Sequence, residues 1–148
     1  MLRWLLATAH LLGLGIGLGA VWARARLIGA APLDRTVLRR VFNADAWWGA
    51  AAVLWIGTGL WRLFAGTEKP TAYYLANHAF YAKMALLGAI LLLELWPMVT
   101  LIRWRVALAQ GQVPNTEPAR MIATISYAQA ALVVLMVLAA TAMARGLG

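Results

Sequence analysis

Three side chains fall inside or at the edge of long apolar runs and could do chemistry there: His10, Lys83 and Glu94. A charge at the bilayer centre costs from about 2.5 kcal/mol upward, so ionisable groups in such runs mark either a partner or a function. An imidazole in that setting is an axial haem ligand, a proton-transfer group, or a neutral ring hydrogen-bonded across helices. A lysine either snorkels to the surface or serves a cofactor as ligand or donor. A carboxylate is a proton-relay group or the partner in a salt bridge or hydrogen bond to a neighbouring helix. His78, just before Lys83, reads as a residue at the end of a loop. The chain has no cysteine, no phosphate loop, no nucleophile–base pair beside a carboxylate, and no set of three His, Asp or Glu with metal-ligand spacing. Hydrolysis, phosphoryl transfer and zinc chemistry therefore find no support, whereas haem needs only one or two placed ligands.

The elements that hold these residues follow from composition. Of 148 residues, 64% are hydrophobic and 12% charged, and the mean hydropathy is +0.75. Soluble domains carry about 45–50% apolar and about 25% charged residues, which excludes an ordinary soluble protein and a disordered one. A bilayer core of about 30 Å needs around 20 apolar residues per helix. Four segments qualify, at about 4–23, 45–62, 77–102 and 121–144. The expected fold is all-α: a single transmembrane domain over 1–148, built as an integral membrane four-helix bundle, because lipid cannot satisfy an open backbone. The run Trp4 to Ala23 has 20 uncharged residues, longer than the roughly 7–15 of a signal-peptide core, and reads as a retained helix.

Between the first two spans, Pro32 precedes Asp34, an expected N-cap, and Val37, Leu38, Val41 and Phe42 alternate with Arg35, Arg39 and Arg40. This is a short amphipathic surface helix or an extension of the second span. Gly66 to Ala76 is a short loop, and Thr116 is the expected cap of the last helix. The first and third connectors carry Arg24, Arg26, Arg35, Arg39, Arg40, Arg103, Arg105 and Arg120; the opposite side has Arg3, Arg62, Lys69 and Arg145. The positive-inside rule then puts the arginine-rich connectors in the cytoplasm and both termini outside, in the periplasm of a bacterial inner membrane. The net charge of +8 sits at span ends, so the expected partner is the anionic surface of the lipid bilayer and no nucleic acid.

At 1.5 Å per residue, His10 lies about 9 Å below Trp4 and Lys83 about 9 Å below Asn77, which brings both to one depth. His10 shares its helix face with Gly13 and Gly17, a small-residue surface open to a close helix or a flat ligand. Lys83 and Glu94 are 11 residues apart on one face and about 16 Å apart along the axis, too far to pair. Pro97 follows Glu94 and removes the helical donor of the Leu93 carbonyl, so a kink is expected there. Asp45 is expected as an N-cap or a partner of loop arginines, and Ser126 and Gln129 as interhelical hydrogen-bonding groups.

The segments Trp4-Leu5-Leu6-Ala7-Thr8-Ala9-His10, Asp45-Ala46-Trp47-Trp48-Gly49, Asn77-His78-Ala79-Phe80-Tyr81-Ala82-Lys83-Met84 and Glu94-Leu95-Trp96-Pro97-Met98 resemble a family of uncharacterised bacterial four-helix inner-membrane proteins over nearly the whole chain. More distantly the chain resembles HemJ-type protoporphyrinogen oxidases and CopD-like membrane proteins. In HemJ-type enzymes a His of the first span and a Lys of a later span are associated with b-type haem, and His10 and Lys83 stand at matching places. That pattern also carries a Lys shortly before the His, where this chain has Leu6-Ala7-Thr8-Ala9.

The expectation from residues and resemblance together is a haem-b-binding redox protein acting on a porphyrinogen-like or quinol partner. His10 would be the axial metal ligand, Lys83 a second ligand or proton-handling group, Gly13 and Gly17 the cofactor wall, and Glu94 an aid to proton movement. Two other classes stand beside it. One is a non-enzymatic assembly protein that binds a membrane partner or its own copies through the glycine faces. The other is an oligomeric proton or ion transporter using Lys83 and Glu94.

Overall fold

The computed structural model describes residues 1–30, 32–65 and 70–146; Lys69 and the start of the expected loop, 66–69, lie outside them. Five helices follow in order: α1 (Leu2–Gly29), α2 (Arg35–Phe64), α3 (Thr71–Leu75), α4 (His78–Ala109) and α5 (Ala119–Ala144). No strand occurs among the described residues. Among the described residues three helices, α1, α4 and α5, are long and apolar enough to cross a membrane. The second expected span lies within α2, which has 30 residues but carries Arg35, Arg39, Arg40, Asp45 and Arg62.

The helix ends follow local chemistry. Asp34 caps α2 as expected, its Oδ1 accepting from the Val37 amide at 2.8 Å, which satisfies a donor the helix cannot. The amphipathic segment and the second span form one continuous helix. Asp45 therefore stands deep inside α2 and not at a helix start, a correction to its expected capping role. Asn77 caps α4, its Oδ1 accepting from Ala79 and Phe80. The helix α4 runs on through buried Pro97 and past Ile102 to Ala109, so Arg103 and Arg105 are helical. It ends where Gly111, at φ 75°, lets the Gln112 amide return to the Ala107 carbonyl and the Gly111 amide to Leu108. That closure needs the left-handed backbone glycine supplies. At α5, Thr116 serves through its backbone carbonyl, which accepts from Ala119 at 3.0 Å; the N-cap is Pro118.

The helix α1 packs along both α2 and α5, and α4 packs along α5, while α2 and α4 barely touch. Among the described residues α1 and α4 make no backbone approach and stand diagonally opposed. The closest approach is between α1 and α2. A Cβ on Gly13 would lie 3.2 Å from the Trp55 backbone nitrogen, and one on Gly17 would lie 3.5 Å from Ala51. Glycine there lets the two axes come together.

The core has two apolar layers. One contains Val21, Trp48, Trp55, Ile90, Val133 and Met136; the other contains Ile28, Val41, Leu101, Trp104 and Ile122. Each long helix places at least one polar side chain between these layers: Arg24 in α1, Asp45 in α2, Glu94 in α4, Ser126 and Gln129 in α5. Outward faces carry bare apolar side chains, among them Leu11, Val53, Leu92 and Leu138. Contiguous apolar surface of that kind is matched to acyl chains and not to water.

Candidate functional site

The polar layer is organised by Arg24, whose side chain is fully buried. A guanidinium has five N–H donors in a planar fork. All five are used. Nε donates to Ser126 Oγ at 3.0 Å; Nη1 donates to Asp45 Oδ1 at 2.8 Å and Glu94 Oε1 at 2.8 Å; Nη2 donates to Glu94 Oε2 at 2.9 Å and Gln129 Oε1 at 2.8 Å. The two bonds to Glu94 make the parallel fork that strengthens Arg–carboxylate pairs, and they cross the bundle diagonal from α1 to α4.

The acceptors are satisfied in turn. Gln129 Nε2 donates to Glu94 Oε2 at 2.8 Å and to the Ile90 carbonyl at 3.2 Å. The Ser126 hydroxyl donates to the Ile122 carbonyl at 2.7 Å. Asp45 Oδ2 accepts from Arg105 Nη2 at 2.6 Å, and the same Nη2 reaches the Phe42 carbonyl at 2.9 Å. The network thus holds two arginines and two carboxylates, with no net charge, and ties α1, α2, α4 and α5 together. Charges removed from water persist only when paired and hydrogen-bonded in this way.

Beside the network the seam between α2 and α4 opens into a cleft of about 220 Å³. Asp45 and Glu94 lie on its wall with Trp48, Gly49, Trp55 and Ile90. Both carboxylates keep some exposure, 14% for Asp45 and 18% for Glu94, whereas Arg24 keeps none. The arginine is therefore the anchor, and the carboxylates are the acidic groups on a cleft wall otherwise largely apolar and aromatic.

A match to a family model covers residues 2–148, and its description reads "Predicted membrane protein (DUF2214)". The chain belongs to this family. No curated protein and no solved structure matches it. For this DUF2214 chain, membership and the three apolar helices together make it a membrane protein in contact with the lipid bilayer.

The residues expected to do chemistry divide into two places. Glu94, Asp45, Ser126 and Gln129 converge on Arg24. His10 and Lys83 lie some three to four turns away along their helices, roughly 21 Å from Arg24 and 16 Å from Glu94 by helical rise. His10 is half-buried and faces α2, with Nδ1 at 3.0 Å from both the Trp55 carbonyl and Thr58 Oγ1. The carbonyl only accepts, and the Thr58 hydroxyl donates to the Leu54 carbonyl at 2.7 Å, so Nδ1 carries a proton; in the neutral form of the ring the lone pair is then on Nε2. Gly59 leaves room for this ring, since a Cβ there would stand 3.1 Å from His10 Cε1. Lys83 is half-buried early in α4, and His78 is the first residue of that helix. Gly13 and Gly17 face Trp55, Trp48 and Ala51, so α2 occupies the glycine face.

Arg24 is the residue that sequence reading missed. It stands at the end of an uncharged run and reads there as a boundary. The signal that reveals it is the facing series His10, Gly13, Gly17, Val21, Arg24, Ile28, spaced three or four residues apart, which carries the packing face of α1 through the arginine.

Proposed function

We propose that this chain is an integral membrane four-helix bundle whose α2–α4 cleft binds a small, lipid-soluble ring compound bearing hydrogen-bond donors, of the quinol class. In this reading α2 is the fourth span. The arginine-rich ends, which the Arg35 bond to the Gly111 carbonyl brings to one side, face the cytoplasm, and both termini face out. What carries the reading is that two carboxylates, both paired with Arg24, line an apolar cleft with two tryptophans, on the seam where α2 and α4 barely touch.

The volume favours a single ring. Drug-sized ligands fill about 300–1,000 Å³, and a tetrapyrrole-sized porphyrinogen exceeds 220 Å³. Trp48 and Trp55 supply aromatic faces for stacking, and the carboxylates accept from ring hydroxyls. The test compares a short-tailed benzoquinol with its dimethyl ether by ligand-induced thermal stabilisation of the detergent-purified protein. A hydrogen bond to a charged group is worth about 1.5–3 kcal/mol, so the ether should bind about 10- to 100-fold more weakly. Gly49→Phe fills the cleft at a position where an added Cβ meets nothing, and should abolish quinol binding while leaving the fold intact. Equal binding of quinol and ether, or binding unchanged in Gly49→Phe, refutes the reading.

A second reading rests on the His10 tautomer. Ligating histidines commonly donate the distal N–H to a carbonyl, as His10 Nδ1 does to Trp55. Haem b would then be held by His10 through Nε2, with Lys83 as second ligand or proton-handling group, and would supply one-electron chemistry. Gly13 and Gly17 would not form its wall, because α2 covers them. A Soret band lost in both His10→Ala and Lys83→Ala is the expected result, and no band after haem supplementation refutes it.

A further inference from the structure

On another face of α2, a shallow groove of about 550 Å³ runs between α1 and α2. Its α1 wall includes Ile16, Ala23 and Leu27, and its α2 wall includes Arg39, Arg40 and Trp47. The two walls are antiparallel: Gly13 faces Trp55 and Gly17 faces Ala51, and continuing that register sets Leu27 beside Arg40 and Ala23 beside Ala44. The groove is therefore polar at one end and apolar along its length. Ile16 to Leu27 spans roughly 16 Å at the helical rise, close to one leaflet, half of a hydrocarbon core of about 30 Å. Arg39 and Arg40 are exposed, and neither has a hydrogen-bond or ion-pair partner among the described residues. This contrasts with Arg24 and Arg105, whose charges are matched by Asp45 and Glu94.

We infer that this groove is a site for a single anionic phospholipid, its phosphate held by Arg39 and Arg40 and one acyl chain laid along Ile16, Ala23 and Leu27, with Trp47 at the interface. The charge selects the occupant. Two uncompensated guanidiniums beside Asn43 match a phosphate, and the leaflet-long apolar wall matches a chain that a soluble phosphate lacks. A second copy of this chain would bring its own cationic face against the arginines, since the net charge is +8.

The experiment is native mass spectrometry of the full chain released from detergent micelles, doped with dioleoyl phosphatidylglycerol or dioleoyl phosphatidylcholine. One phosphatidylglycerol should remain bound at a stoichiometry the choline lipid does not reach. Arg39→Gln with Arg40→Gln should weaken that binding about 30-fold, from the loss of two surface charge contacts. The control Arg26→Gln with Arg103→Gln removes the same charge from exposed positions outside the groove, and should change it by less than about threefold, as only the diffuse field falls. Ala23→Phe, which blocks the chain and spares the charges, should also reduce retention. Equal losses in the two double variants, no effect of Ala23→Phe, or displacement of the lipid by millimolar glycerol phosphate would each overturn the site. The helical circular-dichroism signal of every variant establishes folding, and either groove variant alone suffices to decide the outcome.

Discussion

Removing Arg24 tests the central physical claim, that one buried arginine holds four helices by satisfying two half-buried carboxylates. In Arg24→Met the side chain keeps length and apolar contact but loses all five donors. Asp45 retains Arg105, so its loss is partial. Glu94 retains only Gln129 and becomes an under-compensated carboxylate between apolar layers. Breaking a buried pair from one side costs about 3–5 kcal/mol, a large share of a typical total of about 5–15 kcal/mol. The neutral partners matter less. A hydrogen bond between spans averages about 0.6 kcal/mol, so Ser126→Ala should be mild. Arg24→Lys keeps the charge but brings three donors to five acceptors, and should still cost about 1–3 kcal/mol. Arg24→Met with Glu94→Gln removes the charge with its partner, so the double variant should be less damaged than the sum of the singles by about 1–3 kcal/mol. The assay is unfolding in mixed micelles by increasing mole fraction of sodium dodecyl sulfate, followed by far-ultraviolet circular dichroism. A cost below about 1 kcal/mol for Arg24→Met, or additivity within about 0.5 kcal/mol, refutes the reasoning.

Two further outcomes follow from local geometry. Gly13→Ala pushes a Cβ to 3.2 Å from the Trp55 backbone, whereas a Cβ on Gly15 meets nothing within 4 Å. In the same unfolding assay Gly15→Ala should be neutral or stabilising by up to about 1 kcal/mol, and Gly13→Ala should be less stable than Gly15→Ala by about 1–2 kcal/mol; equal stabilities would contradict the close packing of α1 on α2. Asp34→Ala should cost about 0.5–2 kcal/mol by removing the cap on Val37, with increased amide exchange confined to the first turn of α2. Unchanged exchange there would show that the cap is not holding the helix start.

The helices were legible because their cause is local. Apolar runs of span length define α1, α4 and α5 wherever they occur, and Asp34 followed by an amphipathic stretch is a start signal that acts within one turn. Ser126 and Gln129 were readable as interhelical groups for the same reason, since a polar side chain in an apolar helix must find a partner. Glu94 was readable only as one of two alternatives, and the partner that decides for an ion pair sits 70 residues away. Asp45 was readable only as a cap or a partner of arginines, because the connector could be a separate surface helix or an extension of the second span; the ion pairs decide for the partner. Nothing in residues 35–45 breaks a helix, and connector and span fuse. Arg24 was hidden by its position, since an arginine that ends an apolar run reads the same whether it reaches water or turns inward.

Composition and hydropathy by themselves determined that this chain is helical and lives in a membrane, because lipid allows the backbone few other solutions. Tertiary structure decided which polar residues meet. Fully engaging a guanidinium's five donors takes acceptors from α2, α4 and α5 at one height, and that height is set by the antiparallel register of α1 on α2, which Gly13 and Gly17 make close enough to reach. The same packing left α2 and α4 apart, so the cleft beside the carboxylates is a property of how the helices are arranged and of no single segment.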